Sequence, residues 1–135
     1  MRLTAVLLAL CVISPSLPAE VLVHGDYRIH YTVFPSTIIP PEVAASHGIT
    51  RAEDRVVVNV SARLAGEPAA INVTGHVTNL LEQVSELAFV EVSEQDAIYY
   101  LASHISKEED LLRFDLTVTP PGLAPTQLNF LRRYD

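Results

Sequence analysis

The sequence predicts an all-β protein: an antiparallel immunoglobulin-like β-sandwich of about seven strands with one short helical crossover. Three observations carry this. Apolar residues recur at every second position, as in Tyr27, Ile29, Tyr31 and Val33 against Arg28, His30 and Thr32, the period that buries one face of a strand and wets the other. Such segments return at intervals of roughly ten to fifteen residues, punctuated by Pro and Gly. Between them no long helical pattern intervenes. A small β-barrel is the alternative, because periodicity does not say whether a sheet closes on itself.

In chain order, the first alternation starts near Val21 and ends at Pro35. Pro40 to Gly48 reads as one or two helical turns, with proline at the start, Glu42 near the positive end of the dipole and Gly48 at the stop; this segment is expected to cross between sheets. Val56, Val58, Val60, Ala62 and Leu64 face inward, with Val57, Asn59, Ser61 and Arg63 on the other side. Gly66-Glu67-Pro68 turns the chain. Ile71 to Val77 then alternates with Asn72, Thr74, His76 and Thr78, and these two strands are expected to pair as a hairpin. Leu80 to Leu87 reads as a loop into a strand at Phe89–Val92. Ser93 to Asp96 is a turn, Ile98, Tyr100 and Ala102 face one side of the next strand, and Ser106 to Asp110 is a charged loop. Leu112 to Val118 is a strand stopped by Pro120-Pro121-Gly122, and Leu128 to Tyr134 is the last.

The first nineteen residues have a different character. Arg2 precedes an apolar run, Leu3 to Ile13, and Ser14 to Ala19 is a small-residue, helix-breaking exit, the pattern of an export signal. Eleven apolar residues reach only ~16 Å as a helix, against a hydrocarbon core of ~30 Å. Residues 1–19 are therefore expected to be cleaved near Ala19-Glu20, leaving 20–135 as one domain with no membrane span, in the periplasm or outside the cell. Leu10, next to Cys11, is too bulky for the lipidation signal that the cysteine suggests.

Cleavage would remove the chain's single Cys and single Met. The mature domain then has no disulfide, no cysteine nucleophile, no thiolate zinc site and no iron–sulfur cluster. Its charge, −7 for the whole chain, becomes about −8 when Arg2 leaves, which argues against nucleic acid or anionic lipid as partners. With no Trp, a flat aromatic sugar platform is disfavoured.

No catalytic motif and no cofactor motif is visible. The weak metal candidates are His30, His76 and His104; His76 and His104 could meet only across a sheet, while His24 and His30, read as one strand, would stand ~20 Å apart. His47 falls at the helix end, where a cation suits the dipole. The acid pairs Glu53-Asp54, Glu94 with Asp96, and Glu108-Glu109-Asp110 fall in loops, where solvated charge is ordinary. Asn59-Val60-Ser61 and Asn72-Val73-Thr74 fit the glycosylation sequon. Tyr99-Tyr100 puts one ring on each sheet face, one for the core and one for contact.

Gly25-Asp26-Tyr27-Arg28-Ile29-His30-Tyr31 with Phe34, Pro41-Glu42-Val43-Ala44, Gly48-Ile49-x-Arg51, Val58-Asn59-Val60-Ser61, Asn79-Leu80 and Asp96-Ala97-Ile98-Tyr99-Tyr100 together resemble the bacterial family called domain of unknown function 4426, from about Gly25 to Tyr134. The resemblance implies an exported, periplasmic bacterial protein with a small β-sandwich, and it carries no chemistry. It also implies that Asp26, His30 and Arg51 either define a polar surface site or anchor the first strand to the crossover. His47 and Pro35 depart from the family pattern.

The favoured functional reading is a non-enzymatic accessory or interaction module whose partner is another periplasmic or envelope protein, recruited at an exposed sheet edge. A small-ligand or metal-binding protein is the alternative. An exported hydrolase, its site assembled from separate strands, is the third reading.

Overall fold

The computed structural model describes residues 20–106 and 110–134. The leader 1–19 and Lys107–Glu109 of the charged loop lie outside them. Among the described residues ten strands form two antiparallel sheets: β1 (Glu20–His24), β2 (Tyr27–Pro35), β3 (Arg55–Leu64), β4 (Glu67–Ala69), β5 (Asn72–Thr78), β6 (Val84–Glu86), β7 (Val90–Glu94), β8 (Ala97–Ile105), β9 (Asp110–Thr119) and β10 (Thr126–Tyr134). The first sheet runs β1-β2-β3-β8-β7, with β4 also on β3; the second runs β10-β9-β5-β6. The sheets do not join into a barrel. The strands beyond the expected seven include β4 and β6 at three residues each, too short to display an alternation.

The inward parity is as the sequence indicates. Ile29, Val58, Val60 and Tyr100 of the first sheet meet Val77, Leu112, Phe114, Leu116 and Leu128 of the second in one core. Tyr100 adds a polar tie: its hydroxyl accepts the Ile71 backbone N–H at 3.0 Å, so a buried donor is satisfied where the chain leaves one sheet for the other.

Two expected connections differ. The helical turn, α1 (Pro41–Ser46), joins β2 to β3, which are paired neighbours from Tyr27↔Leu64 to Pro35↔Val56; it does not cross between sheets. It folds back as a flap over the outer face of the first sheet, where Ile39, Ala44 and Ile49 bury Val57, Val92 and Leu101, with Phe34 and Tyr99 at the margin. Nor do β3 and β5 form a hairpin. After a tight turn at Ala65 and Gly66 the chain pairs briefly as β4 with β3, and β5 then enters the second sheet against β9. A three-residue return strand intervenes because Pro68 and the following Ala69-Ala70 supply too little apolar alternation to hold a long hairpin arm.

One serine holds the flap's two ends. The buried Ser36 Oγ donates to the Ala52 carbonyl and accepts the Ala52 N–H, both at 2.9 Å, while Arg51 donates to the Thr37 carbonyl at 2.9 Å. Ser36→Ala would leave a backbone donor and acceptor unpaired in the half-buried bracket, so a loss of about 1–2 kcal/mol is expected. Denaturant unfolding measures it, and faster amide exchange confined to residues 36–52 would locate it.

Candidate functional site

The structure scatters the nominated histidines. Gly25, at φ +60, and Asp26 reverse the chain between β1 and β2, so His24 pairs with Tyr27 and His30 with Val21. The reversal changes parity. His24 therefore shares the inward face of Tyr27 and donates its Nε2–H to the Ala124 carbonyl, 2.9 Å away, whereas His30 faces outward; the two do not lie on one strand. His104 pairs with Val56 on the inward face, five rungs or ~17 Å along β3 from Ser61, the partner of His30. His76 lies on the outer face of the other sheet, its Nε2 3.5 Å from Asp115 Oδ2, in a surface chain that continues through Arg113 to Glu82 at 3.8 Å. Thus His76 and His104 do not meet across a sheet. Among the described residues no three His, Cys, Asp or Glu side chains gather to hold an ion.

Asp26, His30 and Arg51 are not brought together either. Asp26 sits at the β1–β2 turn and Arg51 beyond the opposite end of β2, ~30 Å of extended chain away; Arg51 ties the flap through Thr37. His47 ends α1 with its backbone N–H on the carbonyls of Val43 and Ala44. Of the two sequon residues, Asn72 is exposed, while Asn59 lies half-buried in central β3 with its Oδ1 enclosed and unpaired.

Burial lowers the His104 imidazole from its ordinary 6.5, with Asp110 pulling weakly the other way. The folded state favours the neutral ring, and below pH 6.5 the unfolded chain binds the extra proton first. Stability is therefore complete above pH 6.5 and declines as the pH falls toward the lowered folded value. His104→Gln is expected to flatten that decline between about pH 7 and about pH 5 in denaturant midpoints; an unaltered slope would assign it elsewhere.

His30 does take part in a concave site. Strand β3 pairs with β8 only as far as Val60↔Tyr100 and with β4 only from Ala62↔Ala69, so Ser61 stands at a seam between two partners. The seam opens the outer face into a cavity of about 150 Å³ whose walls include His30, Ser61, Arg63, Pro68 and Tyr99. A shallower depression of about 520 Å³ continues from it, sharing Arg63 and Tyr99 and edged by Glu94, Gln95 and Asp96. Arg63 is fixed by two turns, donating Nη1 to the Gly66 carbonyl at 2.9 Å and Nη2 to the Asp96 carbonyl at 2.7 Å.

At the far edge of the second sheet lies β10, nine residues long and paired along its length with β9 on one side. It is tied to β1 by Arg132 and Glu20, 3.4 Å apart, and to β2 by the ring contact of Phe130 with Tyr31. Leu131 is 55% exposed on its outward face.

The profile of the family domain of unknown function 4426 (DUF4426) matches residues 22–134. The chain belongs to this family. A crystal structure of a DUF4426 family protein from Pseudomonas aeruginosa PAO1 is 33% identical, with a TM-score of 0.79, covering 85% of this chain and 93% of that one. Two structures of FetP from uropathogenic Escherichia coli strain F11 share the fold at TM-scores of 0.64 and 0.58 with 13% and 12% identity; each covers 85% of this chain, and 93% and 92% of their own. The first is a copper-bound Glu-to-Gln variant, the second an as-isolated protein expressed in the E. coli periplasm. No functionally curated protein matches the chain.

Within this DUF4426 chain, sequence reasoning nominates His30 and misses Ser61, Arg63 and Tyr99 as its neighbours. Their outward parity is readable, and Tyr99 belongs to a pair that puts one ring on each sheet face. The change of strand partner at Ser61, which makes the hollow, leaves no trace in an alternation.

Proposed function

We propose that this DUF4426 chain is an exported, non-enzymatic interaction module of the bacterial envelope, and that an extended segment of an envelope protein adds to it as a strand beside β10. The observation that carries the reading is the nine-residue edge Thr126–Tyr134, which among the described residues has a strand partner on one side only. An unpaired row of backbone N–H and C=O groups is a template for an added strand. Exposed Leu131 and Arg133 next to that edge offer an apolar and a cationic contact suited to a partner segment with an acidic residue. The leader pattern of residues 1–19 supports export, and among the described residues no helix is long and apolar enough to cross a membrane.

A photoreactive residue at Leu131 is expected to join one partner through a single extended peptide, while the same probe at Thr117, in the interior strand β9, joins none. The periplasmic form should begin at Glu20. Equal labelling from both positions, or none from Leu131, would overturn the edge; retention of Met1 in the cytosol would overturn export.

The metal reading draws on the copper held by the FetP variant. Here His30, His76 and His104 lie on three different surfaces, so they cannot share an ion. Copper titration of the mature chain is expected to show no site tighter than about micromolar, and a tighter one would revive that reading.

A further inference from the structure

We propose that the seam beside Ser61 is a binding pocket for a small zwitterion of the α-amino-acid type, with its carboxylate held among Arg63, Ser61, Tyr99 and His30 and its ammonium toward Glu94 and Asp96.

The donor end has the chemistry of a carboxylate receptor. A guanidinium carries five N–H groups; two are spent on the Gly66 and Asp96 carbonyls, so Arg63 is held in place with three left over. A fixed fork loses little freedom when it binds a planar carboxylate. The side chains of His30, Ser61 and Tyr99 are half-buried and none makes a hydrogen bond to another described residue. Uncommitted polar groups lining an open hollow are available to a ligand, at the cost only of the water they now hold. Tyr99 is also steadied, because its ring packs against the flap cluster.

Size and charge narrow the ligand. A cavity of about 150 Å³ holds about five water volumes, enough for a carboxylate and the carbons next to it. The remainder of the molecule would lie over the adjoining depression, where Glu94 and Asp96 stand at the rim. Those acids, on a chain of net charge −7, repel a multiply charged anion such as phosphate. A ligand with no net charge, negative at one end and positive at the other, meets complementary groups at both.

The site is separate from the β10 edge: the pocket lies on the first sheet and the edge on the second, so either assignment can fail alone. The test is a titration of the purified mature chain with glycine, acetate, methylammonium and inorganic phosphate, followed by the ring resonances of His30, assigned through His30→Gln. Glycine is expected to move them saturably, acetate several-fold more weakly, and methylammonium and phosphate not at all. Ser61→Ala and Tyr99→Phe should each weaken glycine about three- to tenfold, the worth of one hydrogen bond. Neither variant disturbs a hydrogen bond between described residues, so the test does not depend on Arg63→Lys, which also removes ties to two turns. No response to glycine, an equal response to phosphate, or full glycine affinity in both folded variants would overturn the assignment.

Discussion

Phe114→Ala is expected to cost about 3–5 kcal/mol, the largest single loss available in this chain. Phe114 is fully buried and stacks on Phe130, with ring centroids 5.0 Å apart. Phe130 in turn lies 4.8 Å from Tyr31 of the facing sheet, so the three rings run from β9 through β10 to β2 and join the two layers. Removing the first ring deletes its own buried surface and also strips one face of Phe130, opening a void that close-packed neighbours fill only in part. Domains of this size are stable by about 5–15 kcal/mol, and residues 20–135 contain no cysteine to hold the sheets by a disulfide. The variant should therefore lose a fifth or more of its stability. Its melting temperature should fall by about 10–20 °C. Phe114→Leu, which keeps most of the volume, should cost only about 1–1.5 kcal/mol. Urea unfolding checks both: a lower midpoint at constant slope is a loss of stability, whereas a Leu variant as stable as the parent would mean that the ring stack contributes nothing beyond its apolar volume.

The long strands were legible because each buries one face only. Tyr27 to Val33, Val56 to Leu64 and Leu112 to Val118 alternate cleanly, and β2, β3 and β9 occupy those positions. The helical turn read at Pro40–Gly48 is α1 at Pro41–Ser46, marked by proline and glycine whose backbone preferences act locally. What an alternation cannot report is which strand lies alongside which. It therefore misplaced β3 and β5 as a hairpin and left the seam at Ser61 unseen. The flap does have a signal in the sequence. Val56-Val57-Val58 is apolar on both parities, and Phe34 and Leu101 break the polar face of their own strands. A strand covered on both sides reads as a continuous apolar run, and Val57 is 0% exposed beneath Ile39 and Ala44. The candidate histidines failed for a related reason. Parity carries across a hairpin only when the turn length is known, and the two-residue reversal at Gly25-Asp26 puts His24 and His30 on opposite faces.

Gly75→Val should be the most damaging change on the second sheet that removes no atoms. Gly75 occupies an inward position of β5, opposite Leu116 of β9. Its φ is not in the left-handed region, so the backbone would accept any residue, and the need for glycine is one of space. A Cβ built there would meet Leu116 Cδ2 at 2.5 Å, the Asp115 carbonyl oxygen at 2.6 Å and Leu116 Cα at 2.9 Å. The leucine methyl can rotate away; the two backbone atoms belong to the β5–β9 ladder and cannot move without parting the strands. Overpacking of this kind costs about 1–3 kcal/mol, while replacing glycine restricts the unfolded chain and returns about 0.4–1 kcal/mol. The steric term wins: Gly75→Ala should lose about 2 kcal/mol and Gly75→Val, with two more carbons, about 3 or more. The Gly75 carbonyl also accepts the Leu87 N–H at 3.0 Å, so strand separation should loosen the path into β7 as well, visible as faster amide exchange at Leu87. A double variant decides which contact matters. If the ladder is the obstacle, Leu116→Ala will not rescue Gly75→Ala and will add its own cavity cost. Recovery of stability in the double variant would show instead that the leucine side chain alone had filled the space.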